Sequence, residues 1–354
     1  MPTALFRSLV VAAILGASLH ARHASAQSIG PGFARSYAIT SLGSPGGVPT
    51  SLGGLLILPG DTSILAIGGD AGTTDGALYV AVVTRNGAGH VEGFSGRASY
   101  FQSAEGVSGG IDAGLDVHGD VAFYVTAPDN RLGQIPSDAV GPTKLIDLTP
   151  LGVAASTGGL RFVPNGHPGA GRLKLTSSTA NVWYDASVTP DGNGTFDVAL
   201  SSTTVALAGG AAGIAYVPIG SAQFRAPSVL VAERTAGRIT AYDVDTNGDP
   251  IASSARVFVD GVADVSGLSI DTVTNDLLIS IEGESANVLR VSGFAAPSPS
   301  ADLSGDGAVN GADLGILLGA WGPCAARGPC AADLNGSGAV DGADLGILLG
   351  AWTG

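Results

Sequence analysis

The sequence predicts an all-β body, a β-propeller with five or at most six four-stranded blades, joined to a small all-α C-terminal domain. Three observations carry this. Two small residues followed by a branched apolar one recur at Gly53-Gly54-Leu55, Gly109-Gly110-Ile111, Gly158-Gly159-Leu160, Ala212-Gly213-Ile214 and Ser266-Gly267-Leu268, with third positions 56, 49, 54 and 54 residues apart. A repeat near fifty residues is the length of one propeller blade, and each period has room for about four short β-rich runs. Finally, the segment Ala301 to Trp321 returns as Ala332 to Trp352, offset by 31 residues.

Taken in order, the first element is an export signal. Arg7 supplies a positive start, Leu9 to Leu19 is an apolar run, and Ala24-Ser25-Ala26 is a small-residue cleavage site. The run is too short to span a bilayer, so residues 1–26 read as a cleaved signal peptide and the mature protein as extracellular or at the cell surface. Cleavage removes Arg7 and Arg22 but no acid, moving the formal charge from −14 to −16. So acidic a chain disfavours nucleic acid or anionic membrane, both of which require a basic face.

The body spans residues 27–294. The chain's 45% apolar content rules out disorder, and its 55 glycines fit many tight turns. In the last period the strands read as Leu268 to Val273, Asp276 to Ile281 and Asn287 to Val291, split by turn residues. That leaves one strand missing. Ser36 to Leu42 would supply it and close the ring, removing the exposed sheet edges. A β-sandwich or an open solenoid with Gly-rich turns is the alternative these patterns leave open. Residues 295–300, Ala-Ala-Pro-Ser-Pro-Ser, form a semi-extended linker to the C-terminal domain at 301–354.

In that domain each copy of the repeat sets oxygen-bearing residues at alternating positions of a twelve-residue loop. A hard divalent ion such as calcium requires this arrangement, with six to eight oxygens around a sharp turn. The first loop offers Asp302, Ser304, Asp306, the Ala308 carbonyl, Asn310 and Asp313. The second offers Asp333, Asn335, Ser337, the Ala339 carbonyl, Asp341 and Asp344. Two calcium ions are expected, the second held less tightly because Ser337 replaces a carboxylate. After each loop an apolar helix follows, and Leu314, Leu317, Leu318 and Trp321 fall on one stripe, expected to be core. Cys324 and Cys330, the only cysteines, are expected to pair in an oxidising compartment.

This tail resembles a type I dockerin, with Asp at position 12 and one helix after each loop. The resemblance implies docking onto a cohesin-like or other extracellular receptor, often in polysaccharide degradation. By that analogy the partner face includes Gly311, Ala312 and Leu314, and Gly342, Ala343 and Leu345. Here the chain departs from the family, since Gly-Ala stands in both copies where specificity-setting side chains are usual. The near identity of the halves predicts pseudo-twofold symmetry and two equivalent binding modes. In the body, Gly267 to Ser280 with Asn287 to Val291 behind it resembles blades of gluconolactonase-like and NHL-type propellers.

No nucleophile elbow, zinc-binding histidine pair or phosphate loop occurs in the body. Asp243-Val-Asp-Thr-Asn-Gly-Asp249 imitates a calcium loop at its start, but Ser254 stands at position 12, so it reads as a hairpin turn. Glu105 and Asp264 are the acids nearest the anchors, and both read as loop carboxylates. Two functions remain open. In the first the body is a non-catalytic propeller that binds a ligand or protein; in the second it is an extracellular hydrolase of the lactonase or carbohydrate-active kind. A central channel lined by convergent acids and amides would favour the hydrolase, and one lined by Gly, Ala and Ser the binding body.

Overall fold

In a computed structural model, residues 27–113, 121–139, 141–283, 286–294, 301–304, 308–324, 330–334 and 337–353 are described. The signal segment 1–26 and the linker 295–300 lie outside them. The first described strands, β1 (Ser28–Ile29) and β2 (Ala38–Gly43), precede the first blade. Blade 1 is β3 (Leu55–Leu58), β4 (Asp61–Gly69), β5 (Ala77–Arg85) and β6 (Val91–Ser103). Blade 2 is β7 (Val107–Ala113), β8 (Val121–Thr126), β9 (Arg131–Pro136) and β10 (Lys144–Asp147). Blade 3 is β11 (Thr157–Phe162), β12 (Leu173–Ser177), β13 (Val182–Pro190) and β14 (Phe196–Ala206), and blade 4 begins with β15 (Ala211–Tyr216), β16 (Ser228–Glu233), β17 (Arg238–Asp243) and β18 (Arg256–Asp260). Blade 5 comprises β19 (Val265–Ile270), β20 (Leu277–Ile281) and β21 (Asn287–Ser292).

The fold is thus a five-bladed propeller. The missing strand of blade 5 is β2, antiparallel to β21 with Ala38 opposite Ser292 and Ile39 opposite Val291. The ring therefore closes by pairing one end of the body with the other, as its sequence suggested. One element was not foreseen: β1 adds a fifth strand to blade 4 through Ser28 opposite Asp260. The residues between the two strands are fixed by an aromatic cluster of Phe33, Tyr37, Phe224, Phe258 and Phe294, with Arg256 above the Phe33 ring. Burial pushes the Tyr37 hydroxyl up to about 12, and it donates to the Ala222 carbonyl at 2.7 Å.

Apolar residues gather in a separate cluster between each adjacent pair of blades. Blades 1 and 5 share Leu55, Leu65, Ile67, Leu278 and Val288; blades 3 and 4 share Trp183, Ile214 and Val231. Each such side chain contributes roughly 1.5–3 kcal/mol by leaving water. The expected strand Leu268 to Val273 is displaced to β19, because Asp271 starts a turn by accepting from Val273 N and Thr274 Oγ1.

The C-terminal domain holds α1 (Gly311–Gly319), β22 (Gly322–Pro323), β23 (Ala339–Val340) and α2 (Gly342–Gly350). Its halves are joined reciprocally. Val340 pairs with Gly322 in β22 and β23, and at the position 31 residues away Thr353 N donates to Val309 O at 3.0 Å. Its small core is likewise paired across the repeat: Val309 with Val340, Leu317 with Leu348.

Candidate functional site

Each C-terminal helix begins with a capping box, which fixes the end of its loop. In the first, Asn310 Oδ1 accepts from Ala312 N at 2.8 Å, and Asp313 Oδ2 accepts from Asn310 N at 2.8 Å. The other Asp313 oxygen reaches back to Ser304 N at 2.8 Å, so one carboxylate ties the first and last thirds of the loop. Those backbone donors, Asn310 first, hold its pKa down to about 2. In the second loop Asp344 Oδ2 accepts from Asp341 N at 2.8 Å, and Asp333 accepts from Ser337 N at 3.0 Å and Gly338 N at 2.7 Å. Asp313 and Asp344 are fully buried.

These residues suit a hard divalent cation. Residues 301–354 contain six aspartates and a single basic residue, Arg327, so local charge asks for a cation from outside the segment. Asp302 stands beside Ser304, whose hydroxyl donates to it at 3.3 Å, and Ser337 Oγ donates to the Ala339 carbonyl at 3.1 Å. The remaining expected ligands, Asp306 and Asn335, lie outside the described residues. A cluster of Cys324, Cys330 and Asp333 also occurs, but the two sulfurs form the expected disulfide and leave no thiolate to bind a metal.

The helix stripe divides differently from its expected role. Leu317 is buried and Leu314 half-buried, but Leu318 and Trp321 are 51% and 50% exposed. A nine-residue helix packing one narrow face on its partner has no core to offer the neighbouring side chains. Ile316, Leu318 and Trp321, with Ile347, Leu349 and Trp352 in the second copy, are therefore the apolar surface of the domain. Gly311, Ala312, Gly342 and Ala343 are exposed as expected, whereas Leu314 and Leu345 lean on the core.

In the propeller, the five anchors meet at the axis. A Cβ on Gly159 would sit 2.1 Å from the Ala212 carbonyl oxygen, on Gly110 2.3 Å from Leu160 N, and on Gly213 2.4 Å from the Ser266 carbonyl oxygen. Backbone meets backbone there, which is why the anchors are small. Hydrogen bonds cross the same junctions: Gly54 N to Ser108 O at 2.7 Å, Ser108 Oγ to Thr157 O at 2.8 Å, and Thr176 Oγ1 to Ala212 O at 2.9 Å. Beside the anchors lies Arg161, which donates to Ile214 O at 3.2 Å, Leu268 O at 2.7 Å and Asp112 Oδ1 at 3.0 Å. Gly, Ala and Ser thus close the axis where a channel was anticipated.

Other charges join blades. Lys174 is fully buried between Asp185, its cross-strand neighbour, at 2.7 Å and Asp249 of blade 4 at 2.5 Å, while Trp183 Nε1 donates to Asp249 at 2.8 Å. Asp249 is therefore committed, as is Asp243, paired with Arg256 at 3.1 Å; Asp245 caps Asn247 N and Asp249 N. The 243–249 segment is the hairpin turn it was read as. Asp264 sits in a left-handed turn at φ 55°, and Glu105 lines a cleft at the edge of blades 1 and 2. Arg161 and Lys174 were missed; the available signal was a charge within an apolar strand directly after, or facing, an anchor.

Fold and loops together define a five-bladed β-propeller with a small two-helix domain carrying duplicated acidic loops. No protein-family model matches the chain, and no curated protein matches it by sequence. Among solved structures it is similar to a luciferin-regenerating enzyme, at 12% identity over 74% of this chain and 97% of that one with a TM-score of 0.42. It is also similar to the PQQ-bound aldose sugar dehydrogenase of Streptomyces coelicolor, at 14% over 72% and 98% with a TM-score of 0.40. A third is the Cps50 (Swd1) β-propeller domain of Myceliophteria thermophila, at 10% over 65% of this chain and a TM-score of 0.35; the chain spans 66% of its length, just under two thirds.

Proposed function

We propose that this protein is exported and displays a non-catalytic, ligand- or protein-binding propeller through a dockerin-like tail that binds two calcium ions. The tail docks onto a cohesin-like or other extracellular receptor. The observation that carries this reading is the repeated loop whose closing aspartate, Asp313 or Asp344, is buried against its own loop backbone. A carboxylate so placed is ready to become a metal ligand, and binding the ion would relieve the repulsion among six aspartates.

Two further features support it. The exposed Ile316, Leu318 and Trp321 and their copies give the tail two equivalent uncharged faces, the kind of surface that marks a protein contact. The closed axis supports the binding body over a lactonase-type or carbohydrate-active hydrolase, whose chemistry would call for convergent acids and amides around an open channel. Among the described residues no helix is long and apolar enough to cross a membrane.

The test is calorimetric titration of calcium into the mature chain and into Asp302→Ala and Asp333→Ala. Two sites are expected, one lost in each variant, the second site weaker in the parent. Absence of heat in the parent chain would remove the calcium-dependent tail from this reading.

A further inference from the structure

The junctions between blades differ in how they use charge. Arg161 and Asp112 join blades 2 and 3, Lys174 and Asp249 blades 3 and 4, Arg234 and Glu282 blades 4 and 5, and Arg85 and Asp271 blades 5 and 1. At the junction of blades 1 and 2, Glu105, Asp129 and Arg131 form no ion pair among the described residues, and together they line a cleft of about 170 Å³. All three are solvent-exposed, and they flank one hollow.

The floor of the hollow is built by an absence. Tyr124 on β8, Gly133 on β9 and Leu145 on β10 lie in one row across blade 2. With no side chain at Gly133, the Tyr124 ring lies across it: a Cβ there would stand 2.2 Å from the ring and 2.6 Å from the hydroxyl oxygen. Tyr124 is 1% exposed and lines the cleft, yet its hydroxyl makes no hydrogen bond among the described residues. The ring is packed away while the hydroxyl opens onto the cleft, where it is available to a ligand. Thr126 Oγ1 accepts from Arg131 N at 3.0 Å, which fixes the turn presenting Asp129 and Arg131.

We propose that this cleft binds one neutral pyranose ring, as a free sugar or as the terminal residue of a glycan. This deepens the reading of the propeller as a ligand-binding body and rests on it. The carboxylates of Glu105 and Asp129 accept, while Arg131, Tyr124 and Ser103 donate, which suits the mixed hydroxyl edge of a sugar; Pro142 and Leu145 face its C–H surface. An anionic ligand would meet two carboxylates against one guanidinium, whereas a neutral polyol can both donate to the carboxylates and accept from Arg131. Burial first, then the Glu105 carboxylate, pushes Tyr124 up to about 12, so it stays a neutral donor. At about 170 Å³ the cleft falls below the ~300 Å³ at which drug-sized ligands begin, and so admits a single ring.

The test is saturation-transfer NMR on the mature full-length chain with the methyl glycosides of glucose, galactose and mannose, repeated with Tyr124→Phe and Asp129→Asn. At least one glycoside is expected to bind, with Kd raised about tenfold by each substitution and the melting temperature unchanged. A matched trisaccharide separates the two sources: binding as tight as the methyl glycoside identifies a glycan end, and its exclusion a free sugar, either outcome supporting the site. Equal saturation in the parent and both variants would overturn the site while leaving the propeller a binding body. No saturation by any glycoside would also overturn it, and the calcium titration then judges the tail separately.

Discussion

Replacing Arg161 by Met removes the one guanidinium that links four of the five innermost strands while keeping most of its volume. Its three hydrogen bonds end on Ile214 O, Leu268 O and Asp112 Oδ1, and the side chains of the pair are only 11% and 10% exposed. Removing one partner of so buried a pair costs about 3–5 kcal/mol, mostly because the other keeps its desolvation penalty. With roughly 2–4 °C lost per kcal/mol in a domain of this size, the propeller transition should fall by about 6–20 °C in calorimetry. The double variant Arg161→Met with Asp112→Asn removes the buried charge as well, and should recover about half of the loss, a coupling of at least about 2 kcal/mol once the Asp112→Asn loss is included. A loss below about 1 kcal/mol, or additive single losses, would refute the argument and leave the axis held by backbone contact alone.

Three other outcomes are expected. Chelating calcium with EDTA should melt the C-terminal helices in far-ultraviolet circular dichroism and leave the propeller transition in place, each site losing about 2.7 kcal/mol if calcium had stood at a hundred times its Kd. Without calcium the tail should lose stability in acid: the Asp313 pKa is depressed, so its contribution is complete above the ordinary 3.8 and disappears as pH falls through about 2, and Asp313→Asn should remove that dependence. Gly159→Ala, whose Cβ would meet the Ala212 carbonyl at 2.1 Å, should cost upwards of about 1–3 kcal/mol in a denaturant melt, while Gly60→Ala, with nothing within 4 Å, should be neutral within about 0.5 kcal/mol.

How much of this was legible depended on the distance over which each feature is written. The anchors were visible because every blade repeats them, and β2 because blade 5 came up one strand short. Strand β1 was not, since Ser28 and Ile29 are too few to show alternation. Arg161 and Lys174 were invisible as structural ties because Asp112 and Asp249 lie 49 and 75 residues away, and only the closed ring brings them together. The loops were legible as a spacing, but the capping box that Asp313 shares with Asn310 was not, because a cap is fixed by backbone geometry. The fate of Trp321 was not, because the stripe rule presumes a partner on that side of the helix, and α2 covers only Leu317 and its neighbours.

A propeller can place its chemistry on the axis or on its perimeter, and this chain has spent its axis. The residues converging there are glycines and small side chains that bring five strands into contact, and Arg161 is consumed by three carbonyl and carboxylate oxygens. Widening that axis would mean giving up the contacts that hold the blades in register. Selection for a new ligand is therefore easier at junctions such as blades 1 and 2, where Glu105, Asp129 and Arg131 hold nothing together.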